Sequence, residues 1–563
     1  MDRTRQDSKS FLALVKDGGE SFQQPTSRLE LGGDVMEKAR RSSKALGWLY
    51  ASVELGWRFL IRSRSEDSDI MGSSSLESFP ATEFIPDDGL GLSKTLHVVE
   101  KELAPKLVKT QSPLFMGHMT ADIPFPIHIA DVLGSFFNQN LVKSETSGAA
   151  ANIERQTLGW FHRLVYGFDN YHYEKVAKHP DKCLGVAVSG GTIGNITALN
   201  VARNFALPES KSLGVYESMK LHGWNKAVIV CSQRAHYSLK KAASLIGLGE
   251  HNLIKIPVHE NSNKIDIEKL EDKLFELQRD RVLIVALVGV AGSTETGSID
   301  DLNQMARLSG KHKIWFHVDA AWGGAYLFSE KLRQKLAGIE QADSVVVDGH
   351  KLLGLTMGHG MTLFKNEHSL ESIKHSANYI IRANSFDLGK FSIEGSKPFS
   401  SFKLWFFVKT LGLKKIAARI ENSHDNAQLF SELMNKHAAF EQTSELETNI
   451  VTYRFAPSII RNFIKADTLL NQSIWLENTL NLINIKLHQE GLTEAPGFVS
   501  RTELESCIGC DRSIVVLRAI PINTSTKKHH MKKLLLWQSN RGWELLREAI
   551  EKGPYLDLTK LLR

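Results

Sequence analysis

Between residues 180 and 365, short apolar runs rich in β-branched residues alternate with stretches that have helical periodicity. The runs read, in order, CLGVAV, KAVIVC, NLIKIPV, RVLIVALVGV, KIWFHV and DSVVVD. Helical patterns such as TIGNITALNVARNFAL and IEKLEDKLFELQ separate them. Strands that are apolar almost throughout and are joined through helices are typical of a parallel sheet covered on both faces. The pattern therefore predicts an α/β domain built on a mostly parallel sheet.

The segments on either side of this pattern differ from it in composition. Residues 1–95 are polar and mixed; they hold an amphipathic helical pattern, ALGWLYASVELGWRFLIRS, and a polar stretch, Ser63–Pro80, that is predicted to be a mobile linker. Residues 96–385 are predicted to form the large domain. Residues 386–563 begin with a long helical pattern and then mix strands with helices, so a smaller C-terminal α/β domain is predicted there.

Charge and cysteine content limit the possible classes of partner and compartment. The 69 basic and 63 acidic residues leave a net charge of +6, which is too small and dispersed to predict a nucleic-acid partner. The four cysteines do not suggest a disulfide framework, and CIGC at Cys507–Cys510 lacks the second ligand pair of a metal site. With no signal-peptide or membrane-span pattern, a cytoplasmic protein without bound metal is predicted.

Three chemically distinctive residues, Gly190, Asp319 and Lys351, lie at or just after predicted strand ends. In open α/β sheets, ligands bind at the carboxyl ends of the strands, so these residues are expected to meet in one crevice. The stretch SGGTIGN (Ser189–Asn195) follows a strand and opens a helix, an arrangement that favours an anion such as phosphate. An ordinary capped turn is an equally good interpretation, and the spacing fits neither common nucleotide-binding motif.

The remaining residues of this group suggest contacts to a flat cationic ring. His236 begins a helix and could lie on an aromatic ligand or act as an acid, although a capping histidine is the simpler interpretation. Asp319 ends an apolar strand, and a buried carboxylate requires a cation or several donors. The small methyl group of Ala321 would let a ring approach closely. An apolar setting would make the amine of Lys351 nucleophilic, whereas most lysines are simply solvated.

Taken together, these residues match the parts of pyridoxal phosphate. The cofactor has a phosphate for the glycine turn, a flat ring for His236, a pyridine nitrogen for Asp319 and an aldehyde for the amine of Lys351. The ordered set is far more specific than any single member. The sequence therefore predicts a pyridoxal phosphate site.

Several motifs resemble the group II pyridoxal-phosphate-dependent amino acid decarboxylases, namely HVDAAWGG, the HK of DGHK, HYSLKKAASLIGLG and GSTETGSID. The resemblance extends over residues 105–420. FMGHMTADIPFP, NQNLVKSETSGAAANIERQ and FSIEGSKP are most similar to the bacterial subgroup described as putative aspartate 1-decarboxylases. The resemblance implies fold type I of the pyridoxal-phosphate-dependent transferases, with a sheet of the seven-stranded type. It also implies a homodimer.

The resemblance also implies roles for individual residues. Lys351 would carry the cofactor as an imine, Asp319 would pair with its ring nitrogen, and His236 would stack on the ring opposite Ala321. The other residues implied to lie around the cofactor are Gly191, Thr192, Thr294, Asp348 and His350, with Asp300 behind them. The residues implied to contact the substrate are Thr120, Asn140 and Lys397.

Three departures from the family pattern affect these roles. DGHK stands where many members have NPHK, so Asp348 would put a negative charge near the phosphate. The segment SANYIIRANSFDLGKF is short, which leaves the proton donor open among Tyr379, His236 and a water. Lys397 stands where several relatives have an arginine that binds the substrate carboxylate, and lysine offers a point charge in place of a bidentate fork.

The resemblance implies decarboxylation of an L-amino acid, with aspartate favoured over glutamate. Lys143, Arg382 and Lys397 offer cations for an acidic substrate, although each has a plain interpretation as a surface charge. Aromatic or sulfinic amino acids remain alternative substrates. An aminotransferase or a carbon–carbon lyase on this fold would keep Lys351 and Asp319. A non-enzymatic scaffold would be expected to lack one of the cofactor groups.

Overall fold

The computed structural model describes residues 33–65, 70, 84–375, 385–466, 470–505 and 513–555. Most of the predicted linker Ser63–Pro80 lies outside these residues. Tyr379, Arg382, Cys507 and Cys510 lie outside them as well.

The larger sheet has seven strands: β1 Gly185–Val188, β2 Lys226–Ser232, β3 Leu253–Ile256, β4 Val282–Val290, β5 Trp315–Asp319, β6 Ser344–Asp348 and β7 Gly360–Phe364. Their order is β1-β7-β6-β5-β4-β2-β3. Neighbouring strands from β3 to β6 are parallel, and β7 is antiparallel to both β6 and β1. The mostly parallel sheet is confirmed, and β7 is a strand that the sequence patterns did not indicate.

Helices surround the strands. Those that precede or alternate with the large sheet are α1 Gly33–Ser63, α2 Leu92–Val98, α3 Phe125–Phe137, α4 Ser144–Ser147, α5 Ala149–Tyr166, α6 Asn170–Ala177, α7 Gly191–Ala206, α8 Ser210–Leu213, α9 Val215–Leu221, α10 Ser238–Leu245, α11 Ile267–Arg279 and α12 Leu302–His312. Those that follow it are α13 Ser401–Asn435, α14 Ser458–Ala466, α15 Leu470–Gly491 and α16 Lys528–Lys552. Shorter 3₁₀ or π segments lie at Val99–Leu103, Ala104–Lys106, Glu250–Asn252, Gly323–Phe328, Arg333–Leu336, Ile339–Gln341, Ser369–Ile373 and Leu388–Lys390.

Helix α11 illustrates how the sequence specifies these elements. The side chain of Asp266 accepts a hydrogen bond from the backbone N–H of Lys269 at 3.1 Å, which caps the helix start. Leu270, Leu274 and Leu277 recur on one face and are buried. That spacing packs the helix against the sheet and leaves its charged residues in solvent.

Strand β2 shows that the large sheet is covered on both faces. Val228 and Val230 belong to one buried apolar cluster, whereas Ile229 and Cys231, which alternate with them, belong to another. Side chains along a strand alternate between faces, so both faces of the sheet are packed. Functional groups can therefore reach solvent only at the strand ends and loops.

The C-terminal part contains a second, antiparallel sheet, with β8 Phe440–Gln442, β9 Val451–Phe455, β10 Ser500–Glu505 and β11 Ser513–Ala519 in the order β10-β11-β9-β8. A separate apolar cluster fills the space between this sheet, α15 and α16. Helix α13 leads into the C-terminal part and is kinked at Gly412, where φ is +71°. The predicted boundaries at residues 95 and 385 stay predictions.

The predicted amphipathic helix near the N-terminus is α1. Between Leu46 and Ile61 it exposes a stripe of large apolar side chains, and the ring of Trp57 makes an edge contact with Phe125 of α3 at 5.4 Å. Within the part of the chain that the structure describes, no helix combines the length and apolarity that a bilayer crossing requires. The homodimer stays a prediction.

Candidate active site

The carboxyl ends of β1, β2, β4, β5 and β6 surround a cavity of about 440 Å³. Every residue that was predicted to contact the cofactor lines it: Gly191, Thr192, His236, Thr294, Asp319, Ala321, Asp348, His350 and Lys351. These residues span 160 positions of the chain, and the parallel sheet brings them together because its strand ends lie side by side.

Asp319, the last residue of β5, is held in one orientation. Its Oδ2 accepts a hydrogen bond from Asn195 Nδ2 at 2.8 Å, and its Oδ1 accepts one from the backbone N–H of Ala321 at 3.2 Å. Within the described residues, no cationic side chain forms an ion pair with this carboxylate. It is a buried anion, 8% exposed, that faces the cavity with its charge available to a bound cation.

Behind Asp319 lies a hydrogen-bond chain that the sequence reasoning missed. Asn195 must turn its amide nitrogen toward the carboxylate, so its Oδ1 faces His317 Nε2 at 3.0 Å. Burial lowers the pKa of His317 to about 4, so this imidazole is neutral and carries its proton on Nε2. Its Nδ1 then accepts from the Ser344 hydroxyl at 2.9 Å. The two-residue spacing of His317 and Asp319 along β5, which places both on one face, was an available signal.

His236 lies beside the same chain of hydrogen bonds. Its Nδ1 is 2.9 Å from the hydroxyl of Ser238, which also accepts a hydrogen bond from Asn195. Burial is the largest influence on His236 and lowers its pKa, against the opposing effect of Asp319. A neutral imidazole held at the cavity wall can lie against a flat ring without repelling a cation there.

The glycine turn is shaped by close approaches. A Cβ on Gly190 would come within 2.9 Å of His350, and one on Gly191 would come within 2.9 Å of Asp348 and 3.1 Å of Ala321. No side chain caps the first turn of α7, so its backbone N–H groups are free to bind an anion in the cavity. The cavity therefore offers an anion site at the end where the sequence predicted one.

Lys351 lies in surroundings that differ from the expected ones. Apolar surroundings were expected for its amine, but Nζ lies 3.0 Å from Asp348 Oδ2. The sequence also suggested that Asp348 lies around the phosphate. Its carboxylate is paired with Lys351 in this structure, and its place around the phosphate stays a prediction.

Arg518, on β11, is a further charged group that the sequence reasoning did not select. It donates to the backbone carbonyl of Thr294, to that of Gly117 at 3.3 Å and to the hydroxyl of Ser500 at 3.0 Å. All three acceptors are uncharged, and burial lowers the pKa of Arg518 to about 10. An arginine in the middle of the apolar run SIVVLRAIPI was the signal that could have identified it.

Asp300 supports the cavity from outside its lining. Its carboxylate accepts hydrogen bonds from the backbone N–H groups of Ile265 at 2.8 Å and Val290 at 2.9 Å. Burial raises the pKa of Asp300 to about 6. It fixes the end of β4 next to the loop that carries Thr294.

The residues predicted to contact substrate are not brought into the cavity lining. The hydroxyl of Thr120 is buried without a partner next to Met119, which does line the cavity. Asn140 accepts from the backbone N–H of Lys397 at 3.1 Å. The ammonium of Lys397 forms a buried ion pair with Glu154, so its charge is already neutralised away from the cavity.

Comparisons with known proteins agree with this geometry. Residues 79–456 match the family model described as the pyridoxal-dependent decarboxylase conserved domain. The aspartate 1-decarboxylase of Aliivibrio fischeri is 36% identical over 450 residues, which cover 79% of this chain and 82% of that protein. The acidic amino acid decarboxylase of Xenopus tropicalis is 31% identical over 400 residues, 68% of this chain and 72% of that protein. The crystal structure of mouse CSAD has a TM-score of 0.76 at 20% identity, with 89% and 99% of the chains covered, and so shares the fold.

Proposed function

The chain belongs to the pyridoxal-dependent decarboxylase family, and from this premise we propose that it decarboxylates an acidic amino acid, aspartate in preference to glutamate. Family membership makes it a pyridoxal-phosphate-dependent amino acid carboxy-lyase and confirms the predicted fold class. The substrate class is supported by the relatives that are named for aspartate and for acidic amino acids. A more distant relative, 26% identical, is an aromatic-L-amino-acid decarboxylase from Bacillus atrophaeus, which keeps aromatic substrates as the alternative.

The residues of the cavity fit the cofactor. An anion site at the start of α7, the neutral His236, the fixed anion Asp319 and the amine of Lys351 match its phosphate, ring, ring nitrogen and aldehyde. When bound, pyridoxal phosphate accepts the electron pair of the breaking bond between Cα and the carboxylate. The arrangement of Asp319 and Lys351 in one cavity is the observation that carries the proposal.

Each residue then has a physical task. Lys351 Nζ would hold the cofactor through its aldehyde. Asp319, held by Asn195 and Ala321, would favour a proton on the ring nitrogen, because a nearby anion favours the charged form of a base. His236 would offer a neutral surface to the ring.

For the substrate carboxylate we propose Arg518 in place of Lys397. Among the described residues, the guanidinium of Arg518 donates hydrogen bonds to uncharged oxygens, and one of them is the carbonyl of Thr294, a residue of the cavity wall. Glu295 acts on Arg518 through its charge but accepts no hydrogen bond from it, so the guanidinium fork can still pair with a substrate carboxylate. Lys397, by contrast, is already paired with Glu154.

Carbon dioxide release from a panel of amino acids tests the proposed reaction. Purified protein with added pyridoxal phosphate is expected to release carbon dioxide from aspartate fastest and to form β-alanine. Keto-acid formation is followed in the same samples, because an aminotransferase on this fold would produce it. Release from aromatic amino acids alone would contradict the acidic assignment, and keto acid without carbon dioxide would contradict decarboxylation.

The Arg518→Lys variant is expected to raise KM for aspartate by about tenfold with a smaller change in kcat, because a bidentate contact becomes a point charge. Steady-state kinetics on the purified variant measure both constants. Arg454→Lys is the matched control: Arg454 is a buried arginine of the same sheet, but its partners are Glu441 and Glu477 and not residues of the cavity. An unchanged KM in Arg518→Lys, or an equal rise in both variants, would show that Arg518 does not bind substrate.

A further inference from the structure

The DGHK motif places a carboxylate beside the lysine that we assign to the cofactor. We propose, on the basis of that assignment, that Asp348 is the counter-ion of Lys351 and sets the pH at which its amine captures the cofactor, and that it is not a phosphate ligand.

The contacts of Asp348 point to Lys351 alone. The side chain is 1% exposed, and its Oδ2 lies 3.0 Å from Lys351 Nζ and 3.8 Å from His350 Nε2. Burial lowers the pKa of His350, so that imidazole is neutral and gives the carboxylate little charge compensation. Oδ1 is buried and has no hydrogen-bond partner among the described residues. The ammonium of Lys351 is therefore the cation that stabilises this buried anion.

The slot that holds the carboxylate is shaped by two glycines. A Cβ on Gly360 would lie 2.4 Å from Asp348 Oδ1, and one on Gly191 would lie 2.9 Å from Oδ2. Gly360 pairs with Asp348 across β6 and β7, and Gly191 opens α7. Because β7 and α7 both approach without side chains, the carboxylate stays at the end of β6 and keeps its distance to Lys351.

A role as a phosphate ligand is electrostatically unfavourable. Gly191 lies at the start of α7, where the free backbone N–H groups attract an anion, and Asp348 Oδ2 is close to the same glycine. Two anions at one site repel each other unless a cation or a proton lies between them. Lys351 supplies that cation. Asp348 therefore pairs with the lysine, whereas the start of α7 attracts the phosphate.

The pairing has a consequence for reactivity. A neighbouring carboxylate favours the charged form of an amine, but only the neutral amine attacks an aldehyde. The other titratable groups near this pair are His236, His350 and His359, whose pKa values are lowered by burial, and Asp319, which is bonded to Asn195 and Ala321. Lys241 and Lys403 act on this region through their charges, on His236 and on His350 respectively. Asp348 is therefore the anion in direct contact with the amine, and its removal should let capture proceed at lower pH.

The Asp348→Asn variant tests this inference. Cofactor-free protein is mixed with pyridoxal phosphate in a stopped-flow instrument, and the rate of appearance of the visible absorbance is recorded against pH. The pH at which capture reaches half of its maximal rate is expected to fall by at least about one unit in Asp348→Asn, because the amine loses the opposite charge in contact with it. Asp343→Asn, which alters a half-buried carboxylate just before β6 that accepts from the backbone N–H of Phe316, should leave the profile unchanged.

The outcomes separate this inference from the proposed function. If the unmodified protein captures the cofactor and Asp348→Asn has the same half-maximal pH, Asp348 is not the counter-ion, although the function stands. If the unmodified protein gains no visible absorbance, the assignment of Lys351 itself fails. Asp348→Ser, which is smaller and fits the slot without clash, repeats the measurement with circular dichroism as a check on folding. It is expected to shift the profile in the same direction, and an unshifted profile in the folded variant would overturn the inference.

Discussion

The Lys351→Ala variant is expected to lose decarboxylation almost completely, with kcat reduced at least about 10³-fold, because no other described residue of the cavity lining has an amine that could bond to the cofactor and later displace the product. Lys351 follows β6 and lies in the cavity with Asp319, His236 and the glycine turn. The measurement is carbon dioxide release from aspartate with saturating pyridoxal phosphate. The visible absorbance of the reconstituted protein should disappear in the same variant, since it depends on the covalent bond.

The matched control is Lys331→Ala. Lys331 is an exposed lysine that pairs with Asp425 on the surface, so its loss removes a positive charge without touching the cavity. Its activity and absorbance should equal those of the unmodified protein. Turnover by Lys351→Ala at a rate close to that of this control would remove the basis of the proposed function.

Much of the large sheet could be predicted because its central strands are apolar on both faces. KAVIVC and RVLIVALVGV are buried in the middle of the sheet, so their composition alone indicates their place. The strand β7, GMTLF, gave no such signal, because it is short and begins at a glycine. The segment forms a strand because it pairs antiparallel with β6 and with β1, and β1 is far from it in the sequence. Those contacts are tertiary and cannot be deduced from local pattern.

The site follows the same division between local and tertiary information. Gly190, Asp319 and Lys351 were identifiable because a parallel sheet brings strand ends together whatever the details of packing. The charge partners were not identifiable. The family resemblance implied a substrate contact for Lys397, but Glu154, which pairs with its ammonium, lies 243 positions away in the chain and could not be deduced as its partner. Arg518 reaches Thr294 from a different sheet, so its role depends on how the two sheets are packed.

The second large effect is expected for Asp319→Asn, with kcat reduced at least about 10²-fold, a cost of about 2.7 kcal/mol in the transition state. Asparagine is nearly isosteric but carries no charge, so it cannot hold a proton on the ring nitrogen, and electrons are then accepted poorly. It also carries an amide nitrogen that must face either Asn195 Nδ2 or the Ala321 N–H, both of which are donors. Carbon dioxide release and visible absorbance are measured together.

These two readouts distinguish Asp319 from Lys351. Because Lys351 remains, Asp319→Asn should still bind the cofactor covalently and keep a visible band while losing turnover, whereas Lys351→Ala should lose both. Asp343→Asn again serves as the control, since it alters a half-buried carboxylate outside the cavity. If Asp319→Asn kept kcat within about threefold of that control, a charged partner for the ring nitrogen would be unnecessary. The hydrogen-bond chain through Asn195 and His317 would then serve only to fill a buried polar site, and the electrostatic reason for a carboxylate at the end of β5 would be gone.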